Sequence, residues 1–171
     1  MSTPQLSERT RKLIMAQIKG KIASELAAVR VDRNDPTVNV TPPKEFFIFD
    51  GAHTYQCPAI FLVVDSGELP EQTTGANHVN ALMKLYCSAV VEATGEEALT
   101  ILCERYQAAL FQILHQLTIN DTTDNVKLYS RVVRFRFSEI YTRSRKNENM
   151  GNFRKEIALE LEVKHFENPT S

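Results

Sequence analysis

The longest regular pattern in this sequence is a run of alternating side chains from Val79 to Glu92, and it constrains the fold more than any other segment. One set of alternate positions is apolar: Val79, Ala81, Met83, Leu85, Cys87, Ala89 and Val91. Because successive side chains of a strand point to opposite faces, a two-residue period predicts one β-strand with a buried face. Strands usually have about 5–6 residues, so a run of this length predicts a long β-ribbon.

Two segments show the three- and four-residue apolar spacing of an amphipathic helix. The first covers residues 6–30, and its apolar stripe contains Ile14, Met15, Ile18, Ile22, Leu26 and Val29. The second covers residues 94–117, and its stripe contains Leu99, Leu102, Tyr106, Leu110, Ile113 and Leu117. Thr94 and Glu97 have the spacing of a capping box, which predicts that Thr94 is the N-cap.

The remaining strands are predicted from shorter patterns. Residues 46–64 are expected to form a β-hairpin, because two apolar stretches flank the turn dipeptide Asp50-Gly51. Residues 66–77 are expected to form a polar loop. Alternation over 126–141 and over 153–166 predicts two further strands, which we expect to pair as an antiparallel ribbon.

This order of elements predicts an α+β fold: an antiparallel β-sheet with long β-ribbons and two α-helices packed on one face. A chain of 171 residues is expected to form a single domain, 1–171. Within it, residues 32–45 are expected to be an irregular connector, because Pro36 and the pair Pro42-Pro43 disfavour a helix. Residues 142–152 are expected to be a basic hairpin loop.

The sequence contains no arrangement typical of an enzyme. It has no nucleophile motif, no glycine-rich phosphate loop and no closely spaced pair of metal ligands. Cys57, Cys87 and Cys103 are expected to be buried free thiols. We therefore predict no enzymatic activity, no cofactor and no metal. No apolar run reaches the ~20 residues of a membrane span, and no signal peptide begins the chain, so we expect an intracellular protein without a membrane partner.

Charge is segregated along the chain although the total is only −1. Residues 126–146 carry seven basic residues against one acidic residue, a net charge of +6, which leaves −7 for the rest. Two interpretations remain open. The arginines of this segment could pair with acidic residues of the next strand or of a neighbouring subunit. Alternatively, a basic ribbon with interleaved aromatic residues could contact nucleic acid.

The order and length of the elements resemble those of bacteriophage tail terminator proteins, also called tail completion or minor tail U-like proteins. The resemblance is carried by the opening helix Leu6–Arg30, the segment Phe46–Val64, the strand Val79–Ala93, the helix Thr94–Leu117 and the ribbon Val126–Phe166. It implies a tail-terminator-like domain in a non-enzymatic virion protein that is assembled in the host cytoplasm. Such proteins form a ring, usually of six copies, that caps the head-proximal end of the tail tube and ends its polymerisation.

The same resemblance implies the partners: further copies of the chain, the tail tube protein, a neck, head-completion or connector protein, and the sheath where the tail is contractile. DNA would pass through the lumen of the ring. We expect the charged residues of the last ribbon to face a neighbouring subunit, the lumen or the tube: Arg131, Arg134, Arg136, Arg143, Arg145, Lys146, Glu156, Glu160 and Glu162.

Three other functions remain open from the sequence. The chain could be a related head-completion or neck connector protein. It could be a small nucleic-acid-binding module that uses the basic ribbon 126–146, in which case its affinity would fall steeply with salt. An enzyme with a site spread over loops is the third, and it would require a pocket with perturbed titratable groups.

Overall fold

A computed structural model describes residues 6–49, 55–69, 78–142 and 152–168 of the chain. The elements are α1 (Leu6–Arg33), β1 (Glu45–Phe47), β2 (Ala59–Glu68), β3 (Val79–Ala93), α2 (Glu96–Leu114), β4 (Leu117–Asp121), β5 (Val126–Phe137), β6 (Tyr141–Thr142) and β7 (Phe153–Glu167). The strands form one sheet in the order β1-β2-β3-β7-β5-β4, and β6 pairs with the start of β7. All neighbours are antiparallel except β1 and β2. The predicted α+β class is confirmed.

The centre of the sheet is the pair β3 and β7. Their ladder runs without interruption from Val79 opposite Glu167 to Ala93 opposite Phe153. The alternation predicted for β3 is present, because Ala81, Met83, Leu85, Cys87, Ala89 and Val91 are all buried. These residues share the inner face of the sheet with Ile157, Leu159, Leu161 and Val163 of β7, and both helices pack on this face.

The helices cover the inner face with the stripes that the sequence predicts. In α1 the buried residues include Ile14, Ile18, Ile22 and Leu26, and in α2 they include Leu99, Tyr106, Leu110 and Leu114. Burying a side chain of this size contributes about 1.5–3 kcal/mol relative to leaving it exposed. The two helices also contact each other, so helices and sheet enclose one apolar core.

Two details of α2 differ from the prediction. The N-cap is Gly95, which has extended backbone and makes no side-chain capping bond, so the predicted capping box is wrong. The reason is that β3 extends to Ala93 and leaves Thr94 to link strand and helix. The helix also ends at Leu114, because Gln116 has a left-handed backbone (φ 57°) that redirects the chain into β4. Leu117 is buried in β4 and would also extend the apolar stripe of α2, which is why helical spacing alone misplaced it.

The predicted hairpin over 46–64 is also wrong. β1 pairs with β2 in the parallel direction, with Glu45 opposite Ala59 and Phe47 opposite Phe61. A tight turn would make the two strands antiparallel. Because β1 and β2 are parallel, the connection between them must return to the level at which β1 begins. The bond from the backbone N–H of Lys44 to the carbonyl of Pro58 (2.8 Å) fixes this arrangement at its start.

The connector between α1 and β1 is irregular but firmly held by α2. Arg105 is only 4% exposed; its guanidinium forms an ion pair with Asp35 (2.7 Å) and donates to the backbone carbonyls of Asp35 and Val38. The hydroxyl of Tyr106 donates to the carbonyl of Thr41 (2.5 Å). Such bonds replace the secondary-structure partners that a proline-rich segment cannot form.

Candidate assembly surface

The strand β5 has two halves with different surroundings. From Val126 to Ser130 it lies between β7 and β4 and is hydrogen-bonded on both sides. From Arg131 to Phe137 it pairs with β7 alone among the described residues. An unpaired strand edge presents backbone N–H and C=O groups that another strand can bind. We call the segment Arg131–Phe137 the β5 edge.

A β-bulge at Val133 determines which side chains of the β5 edge face the helices. The pairing with β7 shifts here, because Val132 lies opposite Leu161 whereas Arg134 lies opposite Glu160. A bulge inserts one extra residue and so reverses the alternation of faces beyond it. Phe135 and Phe137 consequently lie on the inner face, in the rows of Leu159 and Ile157, but they remain 51% and 38% exposed.

The basic residues of the β5 edge lie on the opposite, outer face of the sheet, beside the acidic residues of β7. Arg131 forms an ion pair with Glu162 (2.6 Å), and Arg134 lies opposite Glu160 in the ladder. The guanidinium of Arg136 lies 6.0 Å from the centre of the Tyr86 ring. Because the Arg131 side chain is 64% exposed, its ion pair contributes only about 0–1 kcal/mol to stability.

The structure thus brings six of the predicted site residues together on the outer face: Arg131, Arg134, Arg136, Glu156, Glu160 and Glu162. Glu156 lies farthest along the ladder; its backbone N–H donates to the hydroxyl of Ser138 (2.9 Å), and its carbonyl accepts the Ser138 N–H (2.9 Å). Arg143, Arg145 and Lys146, together with nearly all of the predicted basic loop 142–152, lie outside the described residues.

Sequence reasoning missed a second open edge at the other side of the sheet. The segment predicted as a polar loop from Ser66 begins inside β2, which continues to Glu68. β1 covers β2 only from Ala59 to Phe61, so Leu62–Glu68 pairs with β3 alone among the described residues. We call Leu62–Glu68 the β2 edge. Its ionisable residues are the exposed carboxylates Asp65 and Glu68. This purely acidic character was the one feature of the sequence that could have drawn attention to the segment.

A buried polar cluster ties the start of α1 to the far end of the sheet. Thr10 Oγ1 lies 2.8 Å from His165 Nδ1, and His165 Nε2 lies 3.1 Å from Glu167 Oε2. Burial lowers the pKa of His165, and the contact with Glu167 opposes that shift only in part. Arg9 adds ion pairs with Asp121 and Asp124, and its guanidinium lowers the pKa of the Asp121 carboxyl. This cluster stabilises the packing of α1.

The described residues contain no group of three or more histidine, cysteine or acidic side chains placed to hold a metal ion. Cys87 and Cys103 are buried free thiols, as predicted, and burial raises the pKa of each to about 12. Cys57 is only partly buried, so the prediction is wrong there. No helix in the described part of the chain is both long enough and apolar enough to span a membrane.

Comparison with known proteins finds similarity among solved structures. No protein-family model matches the sequence, and no curated protein matches it. Among solved structures, the chain is similar to a chain of the virion of a native gene transfer agent particle, with 12% sequence identity and a TM-score of 0.31. The similarity covers 88% of this chain and 97% of that chain.

Proposed function

We propose that this chain is a structural subunit of a phage-like virion, and that copies of it form a closed ring at the head-proximal end of a tail tube. The β5 edge carries the proposal. It combines unpaired backbone groups, two exposed phenylalanines and three arginines on one strand that the described part of the fold leaves half covered. A surface of this composition is suited to bind another polypeptide chain.

Self-association is the simplest use of such an edge. Natural proteins usually protect an exposed strand by covering it, shortening it or placing charges along it. Here the charges are present, yet Phe135 and Phe137 remain exposed beside them. When one surface of a subunit binds a different surface of the next copy and the rotation closes, the result is a ring.

The position of the ring in a virion is proposed from the order of elements, which resembles that of tail terminator proteins. On this proposal the ring ends polymerisation of the tail tube protein and offers its other face to a neck or head-completion protein. The outer-face arginines support assembly over nucleic-acid binding, because Glu160 and Glu162 lie beside Arg134 and Arg131 and reduce the positive charge available to phosphates.

The proposal is tested by measuring the oligomeric state and the effect on tubes. We expect mass photometry and negative-stain microscopy of the purified chain, alone or with a tail tube protein from the same genome, to show rings of uniform size. We also expect added protein to stop growth of tubes at one end. A chain that stays monomeric with and without tubes, and leaves tube length unchanged, would contradict the proposal. Salt-sensitive DNA binding by that monomer would instead support a nucleic-acid-binding module.

A further inference from the structure

We propose that neighbouring copies join by extending the sheet: the β5 edge of one copy pairs with the β2 edge of the next. This inference rests on the proposed self-assembly and specifies its contact. Both edges belong to the same sheet and lie at its opposite sides. A second copy placed beside the first therefore brings unlike edges together, which is the head-to-tail arrangement that a ring requires.

The strand directions determine how the two edges would pair. β2 is antiparallel to β3, β3 to β7, and β7 to β5, so β2 and β5 run in opposite directions within one sheet. A neighbour related by rotation about an axis that runs roughly along the strands keeps these directions. Its β2 edge would consequently meet the β5 edge as an antiparallel strand, which needs no change in either backbone.

The two edges have the same length, and each begins where a short neighbouring strand ends its pairing. The β2 edge, Leu62–Glu68, begins where β1 stops covering β2. The β5 edge, Arg131–Phe137, begins where β4 stops covering β5. Full use of both segments gives one register, in which Glu68 of one copy lies opposite Arg131 of the next and Leu62 lies opposite Phe137. Each segment contains one irregular position in its own ladder, near Asp65 in β2 and at Val133 in β5.

This register also brings opposite charges together. Glu68 lies in the outer-face row of Leu82, and Arg131 lies in the outer-face row of Glu162, so both side chains project from the same face. In the same register Asp65, the extra residue at the irregular position of β2, lies opposite Arg134 of the next copy. Facing opposite charges stabilise antiparallel pairs and fix their register. Pairing two β5 edges or two β2 edges would instead bring like charges together.

The exposed aromatic residues find cover in the same arrangement. Phe135 would lie opposite Val64 and Phe137 opposite Leu62, on the inner face of the neighbouring sheet. In that neighbour, α1 contacts β2 from the inner side. The neighbour's helical layer would therefore remove apolar surface of Phe135 and Phe137 from water, which is the main source of favourable free energy in association.

Charge reversal tests the pairing directly. We expect R131E/R134E to dissociate the ring, raising the dissociation constant by about 100-fold, because like charges facing each other cost several kcal/mol. D65K/E68K should have the same effect. A matched control, K21E/R30E, reverses two exposed basic residues of α1 and should leave the ring intact.

Mixing the two reversed variants gives the sharpest result. In an equal mixture every contact between unlike variants joins an acidic edge to a basic edge, so rings should re-form, and the quadruple variant should form rings by itself. If R131E/R134E and D65K/E68K both assemble like the unaltered chain, or if mixing restores nothing, the sheet-extension contact is wrong. The proposed function would then still stand, provided that the unaltered chain forms rings.

A covalent test reads the register. The double variant E68C/R131C should form disulfide-linked ladders under oxidising conditions, since directly opposed residues of antiparallel strands have Cβ atoms about 4.5–5.5 Å apart. The single variants E68C and R131C are the controls and should not form ladders. Rings that assemble from E68C/R131C without yielding linked ladders would overturn the register. A tail tube peptide on the β5 edge would be revealed by cross-links from R131C to the tube protein, and these would overturn the proposal.

Discussion

The two halves of β5 belong to one continuous strand, but their side chains have different surroundings. In the half Val126–Ser130 the residues alternate strictly between buried and exposed, because β4, β7 and the helices surround it. In the β5 edge only Val132 is buried. The comparison teaches that the core can specify the side-chain pattern of one half of a strand, while the other half of the same strand leaves similar apolar and basic side chains exposed.

Truncation of a core residue in the first half should give the largest change in stability. Leu128 is buried, so we expect Leu128→Ala to lower the free energy of unfolding by about 2–5 kcal/mol, from lost burial and the cavity left behind. Urea denaturation followed by circular dichroism measures this difference. Phe135→Ala is the matched control in the second half; it should change monomer stability much less but weaken ring assembly. Equal losses of stability in both variants would remove the distinction between the halves.

Acid should destabilise the first half through His165, which lies opposite Leu128 in the ladder. Burial lowers the pKa of His165 in the folded chain, so below the ordinary histidine pKa of about 6.5 the unfolded chain binds more protons. The contribution of neutral His165 is therefore present above that pH and is lost as the pH falls toward the folded pKa.

Thermal unfolding between pH 7.5 and pH 5 measures the effect. Thr10 and Glu167 are the polar groups in contact with the ring, and Arg9 interacts with Glu167. We expect His165→Gln to flatten this pH dependence, whereas His78→Gln, at an exposed position, should leave it unchanged. An unaltered pH profile in His165→Gln would show that another group causes the acid sensitivity.

The smallest change in stability is expected for Arg131→Ala in the second half. Its ion pair with Glu162 is exposed, so the free energy of unfolding should fall by about 0–1 kcal/mol. Ring assembly should nevertheless weaken, because the same guanidinium would face Glu68 of the next copy. Denaturation in guanidinium chloride measures the stability of the monomer, and mass photometry measures ring assembly, so the two effects are separated. A large loss of monomer stability would mean that Arg131 belongs to the fold and not to the contact.

Patterns that depend on the chain's own periodicity could be predicted from the sequence. The alternation from Val79 to Val91 identified β3, and the stripe from Ile14 to Leu26 identified α1, because each pattern reports directly which face is buried. The alternation predicted over 126–141 also places Phe135 and Phe137 on the opposite face from Arg134 and Arg136, because alternation holds on either side of the bulge.

Features that depend on which elements become neighbours could not be predicted. Asp50-Gly51 suggested a turn, but whether β1 and β2 run parallel depends on where the chain returns, which no local pattern encodes. Leu117 fits the stripe of α2 and the buried face of β4 equally well. The open edges are also relational, since Leu62–Glu68 is an edge only because β1 is three residues long.

The short strands β1 and β4 have one more consequence if copies meet in the proposed register. Within one sheet Glu68 stands in the cross-strand row of Tyr129, through Leu82 and Lys164. Meeting Arg131 of the next copy therefore displaces each subunit by two residues, ~7 Å along the strands. If the strands were parallel to the ring axis, repeating this displacement from copy to copy would produce a helix. A closed ring therefore requires strands that are tilted relative to its symmetry axis, as in a β-barrel. Because β1 and β4 determine where each edge begins, these two short strands would determine the tilt of the strands in the ring.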